Sequence, residues 1–226
     1  MLRSLKDLVG SSIGATDGEL GKLSDLCFDD IGWIMRYAVV DTNKWLPGGK
    51  VLVPLLSFGQ PDQKGDVFGV QLTKEQVKEA PPVDVDHPVS KQQETKLLKH
   101  MNIPPVSWSA DSPLQPPEKK ETVGEKPERL DYDPHLRSVK EIKGYELRGR
   151  GESVGEVYDL IADDDGWTVR YLVVDTGSWL KGRRVAFSVD GVSEVNWEGS
   201  RIKADVDRNS IQQYPEYKGP ETLVKP

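Results

Sequence analysis

Few residues of this 226-residue chain have the types and spacing that metal chemistry requires. The chain has three histidines, which are His87, His100 and His135. None of them has a cysteine or carboxylate at a metal-ligand spacing, so we interpret them as surface residues. Residues 163–166 read Asp-Asp-Asp-Gly and resemble the start of a calcium loop, but Val174 stands where the twelfth-position acidic ligand is expected. The sequence therefore predicts a turn there and no metal site.

Asp41 and Asp175 are the best catalytic candidates by position, because each stands at the end of a predicted strand. An aspartate at a strand end also fixes a turn by accepting bonds from the next backbone N–H groups, and we favour that role. No glycine-rich phosphate loop follows a strand, and no serine or cysteine has a plausible base nearby in sequence. We therefore expect no enzyme activity and no cofactor.

The charge of the chain argues against direct nucleic-acid binding. The formal net charge is −7, and residues 2–81 carry 9 basic and 11 acidic residues while residues 136–215 carry 12 and 14. Nucleic-acid affinity depends largely on lysine and arginine side chains that neutralise phosphates, and neither stretch has the excess of basic over acidic residues that this needs. The one local exception is the Lys-Gly-Arg-Arg tip at 181–184, where Arg183 and Arg184 form a solvated turn or contact an acidic partner.

Two tryptophans are candidate partner contacts. Trp45 and Trp179 occupy matching places after an Asp-Thr pair, and each is followed by a leucine, Leu46 or Leu180. An exposed loop tryptophan offers a large rigid anchor for a protein partner. The alternative, which we favour, is that each ring folds back and covers the end of its own domain.

One pattern of about eighty residues occurs twice in the chain. Residues 36–51 read RYAVVDTNKWLPGGKV and residues 170–185 read RYLVVDTGSWLKGRRV. At a constant offset of 134 the register runs without a gap from residue 2 to residue 81, and both copies open with Leu-Arg-Ser. A unit of this length can bury its own core, so the duplication predicts two small domains that each fold alone.

Both repeats favour short strands. Aromatic and β-branched residues predict strands at 33–41 and 167–175, buried on both faces toward their carboxyl ends. Further strands are predicted at 23–28, 51–53 and 67–72 and at 157–162, 185–187 and 202–206. Many short strands at near-regular spacing predict two small antiparallel β-barrels, each closed to leave no long edge.

Each repeat is predicted to end in a short helix. Thr73 and Gln76 form a capping-box pattern, which satisfies free backbone N–H groups at a helix start. Asp207 stands at the equivalent cap of the second repeat, and Pro81 and Pro215 mark the two ends.

These motifs together resemble the PRC-barrel family. They are Gly-x-x-x-Asp at 21–25 and 155–159, Tyr-x-Val-Val-Asp-Thr, Trp-Leu, and Val-Leu-Val-Pro at 51–54, although residues 187–191 depart from the pattern. The family includes the soluble domain of the photosynthetic reaction centre H subunit and the C-terminal domain of a ribosome maturation factor. The chain is most similar to free-standing double-barrel bacterial proteins, and this resemblance implies a fold but no established activity.

Between the repeats, residues 83–134 are predicted to form a proline-rich linker with one short helix at 90–101. Leu97, Leu98 and Met101 share one helical face, which packs on a barrel or on a second chain. We expect a homodimer in which this face covers part of the seam. Limited proteolysis is expected to cut first between Pro113 and Arg129, where apolar residues are scarce.

The predicted domains are therefore 1–82 and 135–217, with a flexible tail at 218–226. No apolar run is long enough for a membrane helix, and the start of the chain has no signal-peptide pattern. The lone Cys27 suits a reducing compartment, so we expect a cytoplasmic protein.

The leading functional hypothesis is a non-enzymatic protein-binding or scaffolding protein whose partner the sequence does not identify. One alternative is a ribosome- or RNA-associated maturation or assembly factor, docked through a ribosomal protein and without direct RNA contact. The other is a peripheral component of a membrane complex, photosynthetic or electron-transferring. Both alternatives follow from the family resemblance alone.

Overall fold

The computed structural model describes residues 1–42, 45–46, 49–59, 67–80, 91–103 and 135–223, with side chains from residue 96 onward in the fifth stretch. The linker between the repeats lies largely outside these residues, as do the predicted cleavage region 113–129 and the last residues of the tail. Strand residues far outnumber helical residues in the described chain.

The strands are β1 (Leu2–Ser4), β2 (Ser12–Ala15), β3 (Gly18–Asp29), β4 (Ile34–Asp41), β5 (Lys50–Pro54), β6 (Val67–Gly69), β7 (Leu136–Ser138), β8 (Glu146–Arg148), β9 (Ser153–Asp163), β10 (Thr168–Asp175), β11 (Arg184–Ser188), β12 (Val192–Asn196) and β13 (Arg201–Ala204). The α-helices are α1 (Leu5–Leu8), α2 (Lys74–Lys78), α3 (Lys91–His100), α4 (Val139–Ile142) and α5 (Arg208–Gln213). All the helices are short.

The predicted helix caps are present. The Thr73 hydroxyl accepts a hydrogen bond from the Gln76 N–H, and the Gln76 side chain accepts one from the Thr73 N–H, so α2 begins with a full capping box. At α5 the Asp207 carboxylate accepts from the Ser210 N–H. The predicted linker helix is found as α3.

The chain folds as two compact units that do not coincide with the two repeats. The first-repeat unit is Val9–Arg137, and the second-repeat unit combines Met1–Leu8 with Ser138–Pro226. These boundaries differ from the predicted 1–82 and 135–217 because the opening Leu-Arg-Ser strand of each repeat pairs in the other unit. Thus β1 pairs with β9, and β7, at the boundary of the two units, pairs with β3.

In the first-repeat unit, β3 pairs antiparallel with both β2 and β4, and β5 continues the sheet beyond β4. The short strand β6 lies parallel to β2. The second-repeat unit repeats this plan: β9 pairs antiparallel with β8 and β10, β11 follows β10, and β13 lies parallel to β8. A hairpin of β12 and β13 adds one more strand.

The prediction of closed, purely antiparallel barrels is wrong in two respects. First, each unit contains a parallel pair. The late strand β6 runs parallel to β2 in the first-repeat unit, and β13 runs parallel to β8 in the second. The pairings among the described residues also do not close either sheet into a ring. The observed architecture is a mostly β protein with mixed sheets.

The core of each unit follows the predicted double-sided burial. Ala38, Val39 and Val40 of β4 are buried, as are Val173 and Val174 of β10. A strand that is apolar on both faces at its carboxyl end must be covered on both sides, and the burial of these residues in β4 and β10 meets that requirement. No helix in the described part of the chain is long and apolar enough to cross a membrane.

Candidate functional site

The leading segment, residues 1–8, docks on the second-repeat unit and lines a polar pocket there. Its strand β1 lies antiparallel to the end of β9, with Leu2 opposite Asp163 and Ser4 opposite Ile161. The two leucines of α1, Leu5 and Leu8, are 0% and 5% exposed, so the segment is held by apolar burial as well as by strand pairing.

Asp159 anchors the leading segment. One carboxylate oxygen accepts the Ser4 hydroxyl at 2.6 Å, and the other accepts the backbone N–H groups of Lys6 at 3.0 Å and Leu160 at 2.8 Å. The side chain is only 2% exposed. Burial raises the pKa of Asp159 above its usual value, and the three donors only partly offset this effect. The aspartate of the Gly-x-x-x-Asp motif thus serves as the acceptor that fixes this segment.

A second aspartate holds the start of the segment. Asp164 accepts Arg3 Nε at 2.7 Å and also bonds the N-terminal ammonium group. Burial alone would raise the pKa of the Asp164 carboxyl, but bonds from the ammonium group and Arg3 outweigh it and lower that pKa. The carboxyl is therefore ionised and paired.

The first-repeat unit contains the same arrangement with the other Leu-Arg-Ser strand. The Asp30 N–H donates to the His135 carbonyl at 2.9 Å, as the Asp164 N–H donates to the Met1 carbonyl at 2.9 Å. Arg137 Nε lies 3.8 Å from the Asp30 carboxylate, and His135 Nδ1 lies 2.9 Å from it. These pairs match at the repeat offset of 134, so the strand exchange is reciprocal. The repeated Leu-Arg-Ser was the sequence signal for it, and sequence reasoning missed its meaning.

Beside the leading segment lies a polar pocket of ≈ 190 Å³. One of its lining residues is Tyr158, whose hydroxyl accepts a hydrogen bond from Lys6 Nζ and whose ring lies 3.5 Å from the Arg184 guanidinium. The Lys6 bond lowers the pKa of Tyr158, while burial raises the pKa of Tyr217, which also lines the pocket. The wall residue Tyr217 also donates its backbone N–H to the Arg184 carbonyl at 2.8 Å.

The pocket does not present a nucleophile with a base. Ser4 Oγ and Asp159 are within hydrogen-bond distance, but both are buried and both bond the backbone of α1. The stack at Tyr158 belongs to the second repeat alone in sequence, because Ser24 and Lys50 occupy the positions of Tyr158 and Arg184 in the first. The arrangement can bind and hold a segment, which is a structural task.

Both candidate tryptophans fold back on their own units, as we favoured. Trp45 Nε1 donates to the Leu20 carbonyl at 2.8 Å, and Trp179 Nε1 donates to the Val154 carbonyl at 2.9 Å. Arg208 lies 4.8 Å from the centre of the Trp179 ring. The following leucines, Leu46 and Leu180, are half-buried. These four residues are positioned by internal contacts.

The basic tip at residues 181–184 also has contacts within its own unit. Arg183 donates to the carbonyl oxygens of Gln212, at 3.2 Å, and Tyr214. Arg184 stacks on Tyr158 and lies 3.3 Å from the Asp175 carboxylate. The structure therefore gives both arginines partners within the second-repeat unit, where the sequence had left open an acidic binding partner.

The apolar face of α3 is covered. Leu97, Leu98 and Met101 are 1%, 8% and 2% exposed in the single chain. This face is thus already buried in the single chain, and the predicted dimer seam at these residues stays a prediction. The His100 side chain adds a contact of 3.0 Å to the Gln76 carbonyl at the end of α2.

Two of the remaining acidic candidates, Asp175 and Asp163, have turn-forming roles. Asp175 accepts the Gly177 N–H at 3.0 Å, and Asp163 accepts the Asp165 N–H at 3.1 Å. Across the stretches that the structure describes, no group of histidine, cysteine and carboxylate side chains could hold a metal ion.

Comparison with known proteins adds the family. No curated protein matches the chain. Residues 134–210 match the family model described as PRC-barrel domain. The matched stretch contains the Asp159 anchor, the Asp164 pair and the strands β8 to β11. The match confirms, over residues 134–210, the resemblance to the PRC-barrel family seen in the sequence.

Proposed function

We propose that this protein is a non-enzymatic binding or scaffolding protein whose first repeat is a second PRC-barrel-like domain and takes a protein partner. The first repeat supports this proposal by its strand plan, since β2 to β5 pair in the same order as β8 to β11. The observation that carries the proposal is a difference between the repeats at three exposed positions.

The first-repeat unit exposes apolar side chains where the second repeat has charged ones. Val9, Leu56 and Val67 are 38%, 55% and 44% exposed. At the repeat offset their counterparts are Lys143, Asp190 and Arg201. Apart from Met1, these are the only large apolar residues exposed in the described part of the chain.

This difference between the repeats shows whether the fold itself needs apolar side chains at the three positions. The second repeat folds on the same strand plan with charges at these positions, so the fold does not require apolar side chains there. The parallel pair Ser12–Val67 corresponds to the pair Glu146–Arg201, whose side chains lie 3.3 Å apart as an ion pair. Exposed apolar side chains gain free energy when a partner removes them from water. We expect the partner to contact the first repeat through them.

The test is a repeat-matched exchange of residues. In the full-length chain, Val9→Lys, Leu56→Asp and Val67→Arg together give the first repeat the charges of the second. The control variant carries the reverse exchange at Lys143, Asp190 and Arg201. Both variants and the wild type are tagged, expressed in the native cell and captured, and the recovered proteins are quantified by mass spectrometry.

We expect the recovery of one partner to fall at least about tenfold with the first-repeat variant and to stay unchanged with the control. A tenfold loss corresponds to about 1.4 kcal/mol of binding free energy. Equal recovery of every captured protein with all three chains would contradict it. The identity of the lost partner, whether a ribosomal protein, a membrane complex or another protein, then distinguishes scaffolding from the two alternatives.

A further inference from the structure

The site that holds residues 1–8 is built entirely by the second-repeat unit. The acceptors Asp159 and Asp164 and the pairing strand β9 all come from that unit. The residues that dock there are separated from their acceptors by more than 150 positions in sequence. Nothing in these contacts therefore depends on which copy of the chain supplies the segment.

The opening Leu-Arg-Ser sequence fits both units. Arg3 pairs with Asp164 in the second-repeat unit, and Arg137 pairs with Asp30 in the first. The backbone bond from the aspartate N–H to the residue before the strand is 2.9 Å long in both units. A strand that two separate sites accept through the same contacts is a transferable docking element.

We propose that two copies of this chain exchange residues 1–8, so that the leading strand of each copy completes the second-repeat unit of the other. The contacts within one chain and between two chains are the same, so their free energies differ only by the effective concentration of the segment. The segment is joined to its own site through the first-repeat unit and the Arg137–Ser138 bond, so exchange increases with the concentration of the chain. Exchange of an identical element is a low-cost route to a dimer.

Exchange of residues 1–8 gives the dimer a contact other than the seam predicted at α3, and it does not depend on the partner proposed above. A second copy fits the site because its contacts require an apolar–Arg–Ser strand followed by a helical turn. Residues 1–8 supply that strand, with Leu5 and Leu8 buried behind it.

The test uses two full-length variants with reversed charges. In the Arg3→Asp variant, two negative charges face each other at this contact. In the Asp164→Arg variant, two positive charges do. When the two variants are mixed and refolded together, the intact Arg3 of one copy meets the intact Asp164 of the other, and the two reversed charges also meet. The double variant R3D/D164R is the matched control, since it restores opposite charges within one chain.

One variant is labelled with ¹⁵N, and the refolded mixture is measured by native mass spectrometry. We expect the mixed two-chain species to exceed either two-chain species of a single variant by about tenfold, because two like-charge pairs become two opposite-charge pairs. Only single-chain masses, or two-chain species in random proportions, would overturn the proposal.

A second measurement covers the case in which a charge reversal prevents folding. A fluorescent peptide of residues 1–8 is titrated into the full-length Arg3→Ala variant, whose own segment has lost the bond to Asp164. We expect the anisotropy to rise on binding, and a peptide carrying Arg3→Asp to bind at least about tenfold more weakly. Equal signals from the two peptides, or none from either, would overturn the proposal.

Discussion

At the residue scale, two aspartates of the second-repeat unit hold the leading segment with opposite electrostatics. Burial raises the pKa of Asp159, although Ser4 and two backbone N–H groups donate to it. Asp164 has its pKa lowered, since bonds from the N-terminal ammonium group and Arg3 outweigh its burial. One carboxyl costs the fold free energy when it ionises, and the other stabilises the fold when it ionises.

These shifts predict opposite pH dependences. Native Asp159 holds its proton more tightly than the unfolded chain, so its contribution to stability falls as pH rises from the ordinary aspartate pKa to the raised one. Asp164 holds its proton less tightly, so its contribution is present above the ordinary pKa and is lost as pH falls through the lowered one.

Thermal unfolding of Asp159→Asn and Asp164→Asn from about pH 3 to pH 7 measures both effects, because that range brackets the ordinary pKa of aspartate. The melting temperature of the wild type minus that of Asp159→Asn is expected to decrease with pH, and the difference for Asp164→Asn to increase. Differences that change in the same direction for both variants would contradict the assignment.

At the element scale, the glycine of the Gly-x-x-x-Asp motif allows two strands to meet. A Cβ atom on Gly155 would lie 2.3 Å from the Asp175 carbonyl oxygen in β10, and one on Gly21 would lie 2.2 Å from the Asp41 carbonyl oxygen in β4. These contacts leave no room for a side chain. The motif therefore sets the approach of β9 to β10, and four residues later Asp159 receives the leading segment.

We expect Gly155→Ala to lower the free energy of unfolding by about 3 kcal/mol, the upper range for overpacking, since a backbone carbonyl cannot move aside as a side chain can. Gly166→Ala is the control in the same hairpin, because its nearest contact would be Thr168 Oγ1 at 3.8 Å. Urea denaturation of both variants decides the matter, and equal stability of the two would show that β9 and β10 adjust to the extra atom.

Most elements were predictable from the sequence because their signals are local. The β-branched run of β10 and the cap at Thr73 depend on neighbouring residues, and both were found where they were predicted. The parallel pairing of β8 with β13 was not predictable in this way, since it depends on the path of the chain between them. The strand exchange was not predicted for another reason. Both opening strands have the sequence Leu-Arg-Ser, so the sequence of a strand does not specify which unit it joins.

The candidate site was predictable only in part. The sequence singled out the motif with Asp159 and the tryptophans, and the structure gives each a definite internal contact. The pocket at Tyr158 was missed because Lys6 and Arg184 are far apart in sequence and meet only through the docked segment. The buried face of α3 shows the limit of periodicity, which identifies an apolar face but not what covers it.

At the scale of the whole molecule, reciprocal exchange ties the two repeats together. The chain before the linker supplies residues 1–8 to the second-repeat unit, and the chain after it supplies His135 to Arg137 to the first-repeat unit. Each half of the chain therefore completes the other unit, which the prediction of two independently folding repeats did not anticipate. Cutting the linker removes the covalent connection and leaves both docked strands in place.

We therefore expect the two halves to stay together after cleavage. A protease site placed between Pro113 and Arg129 of the full-length chain allows the folded protein to be cut, and size-exclusion chromatography then shows whether the fragments elute as one species. Arg3→Asp with Arg137→Asp is the test variant, since it reverses the charge opposite Asp164 and Asp30. Lys143→Asp with Lys181→Asp, which makes the same change in net charge away from both docked strands, is the control. Fragments that separate in the wild type would contradict the exchange, whereas separation in the test variant alone would place the association in the two docked strands.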